Sequence, residues 1–588
     1  MDFPSELPYN QPFFEELDLD ELGKVRFPGT TSTRMDTLLI GLSPVISEAG
    51  HLTHLAISNR PEVIEIHNWE DIVTALCDED GKYIAHLAYD EELLEAIIKH
   101  LPYEILEELA EKRSSYFNGT QIWYSPNHKV TLLNTKGEAK IQILRNWSKR
   151  LTFYQACKRA QVTYDANNHL SIAQATRSLG KEIQKRLEIF LNHKVQDLST
   201  PGILTREVFA RDTRTVDVTK IPVEALKLAY ECLHAPWIEM MAQGYFKDTY
   251  DYDIDSAYPN EVAKLIACDS RVGEWVHRDE YVEGAEYGFC RALITVVPAP
   301  GGVSPIRFRK PTGRLFSPFG SWVGFITKDE IDYIDRSKLG KVDIIEGWWF
   351  VPRLRVHPFL RSVNRLLEMR DASKKNDPVL AAIMKSISVR VNGHFLQKYQ
   401  TLDTIISPVT GREIPEFVAG PLFNPVYACT VMTRTKIKLA EISRIVQARK
   451  GQVLAVTVDG LVSSVSIGRE AGRKLVTRSP AVIASPLIMH LENRSTTTNI
   501  LAKLWKHPES RTYQLGQRRR ITLPEAARAN RYDLVGQYEM APATLTVGSD
   551  ISRIWMDIPF RGKELLDRSY YSKQPGIEYV MMGDRNGG

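Results

Sequence analysis

The sequence predicts a multidomain protein of the α+β class, because helical and strand-forming segments follow one another without regular alternation. The segments with helical periodicity are 91–112, 172–194 and 428–448. The strand-like segments are 129–145, 287–297, 342–351 and 453–466. A Gly- and Pro-rich stretch at 298–320 indicates an irregular insertion between strands, and 199–207 is the preferred boundary after the N-terminal region. With 588 residues, the chain is long enough for three or four modules with separate cores.

The overall composition excludes several classes of protein. No apolar stretch approaches the ~18 residues of a membrane-spanning helix, so no membrane partner is expected. The N-terminus is acidic and has no Lys or Arg before Lys24, which argues against a secretory signal. The six cysteines are scattered without a CxxC pair, so neither a zinc site nor a disulfide framework is expected. These features together predict a cytoplasmic protein with reduced thiols.

The charge distribution gives a weak indication of a partner. The net charge is only +3, but residues 501–530 contain seven Lys and Arg residues against two Glu. Such an excess fits contacts with nucleic-acid phosphates through counterion release. A solvated charged face explains it equally well.

The most informative stretch is TYDYDIDSAYPNEV at 249–262. In a strand, a period of two puts Asp251, Asp253 and Asp255 on one face. Carboxylates this close repel one another unless cations lie among them, and oxygen ligands of this kind suit Mg²⁺. The alternative is an exposed acidic strand end followed by a turn and a helix.

A second acid lies in VLAVTVDGLVSSVSI, 453–467. Two alternating runs flank Asp459 and Gly460, a dipeptide that favours a tight hairpin. An acid at a hairpin tip could meet the first strand and complete a two-metal site, with ions about 3.5–4 Å apart. Asp-Gly hairpins are common, however, and most of them only turn the chain.

Basic residues lie between the two acidic stretches, in a helical pattern over 368–395 that is broken at Asn376-Asp377-Pro378. They are Arg370, Lys374, Lys375 and Lys385. Cations spaced along helices can clamp a triphosphate and neutralise charge on the leaving group. A solvated basic helix is the usual explanation of such a run.

In this order, the three segments resemble the polymerase motifs of family B DNA polymerases. DIDSAYP (253–259) resembles DxxSLYP, KSISVRVNG (385–393) falls where the family has KxxxNSxYG, and TVDG (457–460) falls where it has DTDS. The spacing of the motifs and the total length are similar to those of the small, protein-primed polymerases of phages and linear plasmids. The first motif is specific, and the other two are degenerate.

The resemblance implies a role for each matching residue. Asp253 and Asp459, with the Ile254 carbonyl, would hold two Mg²⁺ ions, for which Mn²⁺ is the expected substitute. Tyr258 would pack under the incoming sugar and exclude a 2′-hydroxyl. The residues expected to contact the triphosphate are Arg370, Lys374 and Lys385. Arg511 and Tyr513 resemble an element that holds the primer strand.

The resemblance also implies a right-hand polymerase fold of palm, fingers and thumb, preceded by a degenerate RNase H-like 3′–5′ exonuclease domain. The expected domains are 1–200 (exonuclease-like), 201–248 (linker), 249–360 (palm with an insertion like the first terminal-protein-interacting region), 361–428 (fingers), 429–475 (palm) and 476–588 (thumb). In the first of these, KYIAHLAYDEELL resembles an exonuclease motif, with His86 at the usual Asn and Asp90 as a vestigial acid. The other exonuclease acids are missing near 36–43, where only Asp36 is present, and near 172–185. No 3′–5′ exonuclease activity is therefore expected.

Three departures from the family pattern bear on activity. Thr457 replaces the first aspartate of DTDS, and Val389 and Asn392 replace the Asn and Tyr of the second motif. Asp255 is a candidate for partial compensation of Thr457.

The expected function is template-directed addition of dNTPs to a primer 3′-hydroxyl on primer-template DNA, in a bacterium or a virus-infected host cell. A terminal protein is a candidate primer. The alternative is a catalytically weakened, polymerase-derived DNA-binding protein. A nuclease is disfavoured by the missing acids.

Overall fold

The computed structural model describes most of the chain between residues 38 and 467, together with a few short segments beyond it. The stretches within 38–467 that are not described are 78–83, 126–128, 148–150, 192–194, 196–197, 199–200, 211–215, 235, 241–244, 247–249, 255, 298–303, 310–314, 318–319 and 407–412. After residue 467 the described residues are 517–520, 523, 538–541, 546–547 and 579–580. Most of the expected thumb, with Arg511 and Tyr513, lies outside the described residues, and so do Asp36 and Asp255.

An eight-stranded mixed sheet forms the centre of the N-terminal region. Its strands are β1 (Leu38–Ile46), β2 (Leu52–Ile57), β3 (Ile64–Glu65), β4 (Ile84–Ala88), β5 (Ser114–Phe117), β6 (Thr120–Ser125), β7 (Lys129–Asn134) and β8 (Gly137–Ile143). The order is β3-β2-β1-β4-β8-β7-β6-β5, in which β1, β4 and β8 are parallel. The sequences of β1 and β4 are almost wholly apolar, as expected for strands that are covered on both faces.

Helices cover both faces of this sheet. They are α1 (Trp69–Leu76), α2 (Glu92–Ile98), α3 (Tyr103–Lys112), α4 (Phe153–Ala160) and α5 (His169–Leu191), with a 3-10 helix at Leu144–Trp147. On one face, Leu39 and Leu87 belong to the same core cluster as Leu179 of α5. On the other face, Leu42 belongs to a cluster with Leu94 of α2.

Two predictions about this region are wrong in detail. The segment 91–112 forms two helices, α2 and α3, because Pro102 lacks a backbone N–H and forms the N-cap of α3. The segment 129–145 forms the hairpin β7–β8, in which the Asn134 side chain accepts the N–H groups of Lys136 and Gly137 in the turn.

The remaining elements follow α5 along the chain. The helices are α6 (Pro201–Ala210), α7 (Val223–Glu231), α8 (Ala257–Lys264), α9 (Lys328–Ser337), α10 (Leu360–Asn376), α11 (Pro378–His394) and α12 (Pro425–Ala448), with a 3-10 helix at Val218–Lys220. The strands up to residue 463 are β9 (Ile238–Met240), β10 (Tyr245–Phe246), β11 (Tyr250–Asp253), β12 (Gly273–Arg278), β13 (Tyr287–Val296), β14 (Phe308–Arg309), β15 (Leu315–Phe316), β16 (Gly320–Thr327), β17 (Gly340–Pro352), β18 (Lys398–Ile406), β19 (Glu413–Ala419), β20 (Val453–Thr457) and β21 (Gly460–Ser463). The last strands are β22 (Gln517–Arg520), β23 (Tyr538–Ala541), β24 (Thr546–Val547) and β25 (Tyr579–Val580).

A five-stranded sheet in the order β11-β21-β20-β9-β24 carries the two predicted catalytic acids. Its inner face packs against α12, because Tyr252, Val456 and Leu439 belong to one buried cluster. A separate antiparallel sheet in the order β12-β17-β13-β16 is inserted between α8 and α10 and packs against α9. The inserted sheet therefore shares a buried core with the five-stranded sheet that carries the two predicted acids.

The helices α10 and α11 form an antiparallel hairpin that breaks at Asp377, which confirms the predicted break. The Asp377 side chain accepts the Leu380 N–H at 3.1 Å, and Pro378 occupies the first turn of α11. The hairpin contacts the N-terminal region through α5: the Nε of Arg186 lies 3.0 and 2.7 Å from the two carboxylate oxygens of Asp377. Arg365 of α10 donates to the Phe190 carbonyl at 2.8 Å.

The preferred domain boundary at 199–207 falls on a packed helix. Most of it lies in α6, where the Thr205 hydroxyl donates to the Ile387 carbonyl of α11 at 3.0 Å. It is therefore not an exposed linker. In the described part of the chain, no helix is both long and apolar enough to cross a bilayer.

Candidate functional site

Asp253 and Asp459, far apart in the chain, lie on neighbouring antiparallel strands. Asp253 is the last residue of β11 and its Cα partner is Gly460, the first residue of β21. The next N–H along the chain, that of Ile254, donates to the Asp459 carbonyl at 2.9 Å. Directly opposed residues in such a ladder have Cα atoms about 4.5–5.5 Å apart. The fold thus places the two predicted acids at the same end of one strand pair.

The turn that carries Asp459 is strained and held from both sides. Val458 has φ of +61°, a left-handed conformation that is costly for a β-branched residue. Its N–H donates at 2.8 Å to the carbonyl of Trp237, which is fully buried, and the neighbouring Asp459 carbonyl accepts from Ile254. Strain of this kind persists only where surrounding contacts determine the conformation. These contacts therefore fix the backbone position of Asp459, whose side chain is half-buried.

Tyr258 lies close to the same carboxylate. It is in the first turn of α8, which starts directly after the acidic strand. Burial, and secondarily the negative charge of Asp459, raise the pKa of the Tyr258 hydroxyl well above its ordinary value. The phenol is therefore protonated throughout the physiological range and can donate a hydrogen bond.

One of the predicted cations reaches the site. The guanidinium of Arg370, on α10, donates to the Ser256 hydroxyl at 2.7 Å. Ser256 has φ of +52° and forms the N-cap position of α8, three residues after Asp253. A positive charge from the α10–α11 hairpin is thus held beside the end of the acidic strand. The sequence analysis missed the role of Ser256, although Ser256 lies within the DIDSAYP motif.

The other two predicted cations lie elsewhere on the hairpin. Lys374 forms an ion pair with Asp371 of its own helix at 2.7 Å, and both side chains are largely exposed. Lys385 is an exposed residue on α11. Their roles as triphosphate ligands stay predictions.

The two departures in the second motif lie one turn apart on α11 and differ in burial. The side chain of Val389 is exposed, whereas Asn392 is buried and its Oδ1 has no hydrogen-bond partner. A buried, unsatisfied amide oxygen is costly unless something satisfies it. The position that holds Tyr in the family is therefore a buried polar acceptor in this chain.

The acidic pair fits a magnesium site by its donor chemistry. Among the described residues, no group of three or more His, Cys, Asp or Glu side chains could hold a metal ion. Mg²⁺ is commonly bound by one or two carboxylates and takes the rest of its shell from water and substrate phosphates. The carboxylates of Asp253 and Asp459 and the carbonyl of Ile254 are an all-oxygen set of that kind. The side chain of Thr457 is outside the described part of the chain.

His86 and Asp90, in the segment that resembles an exonuclease motif, have surroundings typical of structural residues. His86 is fully buried in β4, and burial, followed by the charge of Arg60, lowers the pKa of its imidazole to about 3. The Asp90 carboxylate accepts the N–H of Glu92 at the start of α2, at 3.1 Å. A buried neutral imidazole and a helix-capping acid together do not form a pair of metal ligands.

The strand β1, near which the sequence resemblance places an exonuclease acid, contains no Asp or Glu. Its sequence is LLIGLSPVI, and a side chain at Gly41 would meet α5: a Cβ there would lie 1.9 Å from the Ala173 carbonyl and 2.5 Å from the Arg177 amide nitrogen. Helix and strand therefore touch backbone to backbone at this point. The backbone of α5 therefore fills the space beside Gly41 that a carboxylate side chain would occupy.

No protein-family model and no curated protein sequence matches this chain. Solved structures of phi29 DNA polymerase do match it. The complex with primer-template DNA superposes with a TM-score of 0.53 and 9% sequence identity, covering 75% of this chain and 82% of that one. The ternary complex with primer-template DNA and incoming nucleotides gives a TM-score of 0.52 and 9% identity, covering 73% and 80%. The predicted α+β class is confirmed, and over three quarters of its length this chain shares the fold of phi29 DNA polymerase.

Proposed function

We propose that the chain is a template-directed DNA polymerase of the family B type, which adds dNTPs to a primer 3′-hydroxyl. The observation that carries this proposal is the juxtaposition of Asp253 and Asp459 across the β11–β21 strand pair. The fold supports it, because the solved structures that share the fold are polymerases bound to primer-template DNA and nucleotides. Primer-template DNA and dNTPs are thus the proposed partners, and a terminal protein as primer is a weaker proposal from the sequence resemblance.

Each residue of the site has a proposed task in this reaction. Asp253, Ile254 and Asp459 would hold Mg²⁺ or Mn²⁺, which activates the primer hydroxyl and neutralises the phosphates when bound. The protonated Tyr258 hydroxyl lies beside Asp459 and forms one wall of the site. Arg370, held at Ser256, offsets the charge of the triphosphate.

Primer extension on a templated duplex, with Mg²⁺ and separately with Mn²⁺, tests the proposal. Asp253→Asn and Asp459→Asn are expected to abolish incorporation, because each removes a carboxylate ligand but keeps the side-chain shape. Asp279→Asn is the matched control, since Asp279 is an exposed acid in the loop after β12. Incorporation that survives both site variants would refute the two-metal mechanism.

A second candidate is a binding protein that has lost synthesis. The unsatisfied Asn392 oxygen and the exposed Val389 favour it, because neither residue supplies ring packing against a base pair. A chain that binds primer-template DNA but incorporates no nucleotide with either metal ion would establish this alternative.

We also propose that the N-terminal domain has no 3′–5′ exonuclease activity. The support is the acid-free β1 and its backbone contact with α5 at Gly41. Incubation of a 3′-labelled single strand with Mg²⁺ or Mn²⁺ should leave the label intact. Degradation that is lost in Asp90→Asn would contradict the proposal.

A further inference from the structure

A buried ion triad lies directly beneath the candidate site. Glu261 on α8 is fully buried, and its Oε1 accepts Lys264 Nζ at 3.0 Å and also Lys438 Nζ of α12. Burial alone would raise the pKa of Glu261, but the two lysines, Lys438 first, hold it at about 2. The Glu261 carboxylate is therefore ionised at neutral pH despite its burial.

The triad fixes the one helix on which the site residues converge. The helix α8 has only eight residues, and helices shorter than ~12–15 residues are marginal without tertiary contacts. At its start, the Ser256 hydroxyl accepts a hydrogen bond from Arg370. Tyr258 lies beside Asp459, and Glu261 follows Tyr258 by one turn. Residues three apart lie on neighbouring positions of a helix surface. The ion pair with Lys438 therefore sets the rotation of α8 about its axis and, with it, the position of Tyr258.

We infer that Glu261 and Lys438 are positioning residues for the nucleotide site, an inference that depends on the proposed polymerase function. Buried ion pairs are weak sources of stability, and hydrophobic replacements of the whole pair are often neutral. What the triad supplies here is a defined geometry, because two donors from different helices converge on a single carboxylate oxygen. The proposed effect on the site passes through α8, which carries both Glu261 and Tyr258.

Lys438→Met is the sharpest test, because Glu261 keeps Lys264 as a partner and the fold is retained. With Tyr258 less constrained, KM for dNTPs should rise roughly fivefold to tenfold while kcat changes less. Discrimination between dNTPs and rNTPs should fall in parallel, since Tyr258 is the proposed wall beside the sugar. Glu261→Gln should raise KM and weaken sugar discrimination more strongly. Lys438→Arg, which keeps the charge and the donors, should have the wild-type KM and sugar discrimination.

The chain offers a matched control two residues away on α12. Lys436 is more deeply buried than Lys438 and pairs with Glu330 at 2.5 Å, but Glu330 lies on α9 and not on α8. Lys436→Met should lower the melting temperature without changing KM or sugar discrimination. If Lys436→Met alters both parameters as much as Lys438→Met, or if Lys438→Met alters neither, the inference is wrong. A wild-type chain that incorporates no nucleotide would instead overturn the proposed function itself.

Discussion

The β11–β21 sheet and the N-terminal sheet differ in what packs against their strands. In the first, Asp253 ends β11 and Asp459 lies in the turn before β21, both side chains are half-buried, and α8 begins beside them. In the N-terminal sheet, the equivalent space beside Gly41 is filled by the backbone of α5. Carboxylates that bind metal need room for ions and water. The comparison teaches that packing, as much as residue identity, decides which sheet has room for a metal ion between its acids.

The largest expected effect is a contrast between acids of the two sheets. Asp459→Asn should reduce nucleotide incorporation by about 10³-fold or more, because it removes a proposed metal ligand. Asp90→Asn should leave incorporation unchanged, since Asp90 caps α2. Steady-state primer extension measures both, and equal losses in the two variants would erase the distinction between the sheets.

An acid introduced into the N-terminal sheet should lower the free energy of unfolding and confer no nuclease activity. Gly41→Asp is expected to destabilise the fold by about 3 kcal/mol or more, because its Cβ would overlap the α5 backbone. Chemical denaturation monitored by circular dichroism gives the change, with Gly393→Asp as a glycine control, since Gly393 is exposed and a Cβ there would meet no heavy atom within 4 Å. A stable Gly41→Asp variant that degrades a labelled 3′ end would show that the cleft can open.

The buried His86 should make the N-terminal sheet sensitive to acid. Its pKa is about 3 in the folded protein, below the ordinary value of 6.5, so the folded state excludes a proton that the unfolded chain binds. The stabilisation is complete above pH 6.5 and is lost as pH falls towards 3, by about 2 kcal/mol at pH 5. His86→Leu should flatten the dependence of unfolding free energy on pH between 7 and 5. An unchanged slope would contradict the assignment of a buried neutral imidazole.

The smallest expected effect concerns Ser256. Ser256→Ala removes the hydroxyl that accepts from Arg370, and the loss of one charge-assisted hydrogen bond is worth about 1 kcal/mol, or roughly fivefold in KM for dNTPs. Ser178→Ala is the control, because Ser178 is exposed on α5 and its hydroxyl donates to the Gln174 carbonyl of the same helix. A KM equal to that of wild type would mean that Arg370 is held by other contacts.

Local patterns in the sequence predicted much of this architecture. The hairpin at Asp459, the break before Pro378 and a helix over most of 172–194 follow from neighbouring residues, and each is present. The hairpin turn differs by one residue: it consists of Val458 and Asp459, and Gly460 begins β21. The two acids were predicted to meet, and their strands are indeed neighbours. The β7–β8 turn was missed because Asn134 and Gly137 interrupt an otherwise continuous strand pattern only briefly.

What could not be predicted depends on contacts between distant segments. Nothing near Glu261 in the sequence indicates that Lys438 pairs with it, and nothing near Gly41 indicates that α5 touches its backbone. The assignment of Arg186 to Asp377 is of the same kind. Such pairings are set by the tertiary fold, and the residues next to each partner in the sequence do not indicate them.

The bridge from α5 to the α10–α11 hairpin has a consequence for how the chain can be divided. Arg186 and Phe190 near the end of α5 meet both ends of α10, so the N-terminal region is a structural support of that hairpin. Excision of residues 1–200 would leave the Asp377 carboxylate without its guanidinium and Arg365 without its ring partner. The N-terminal region is therefore not dispensable to the fold, and the two regions are expected to unfold as one unit.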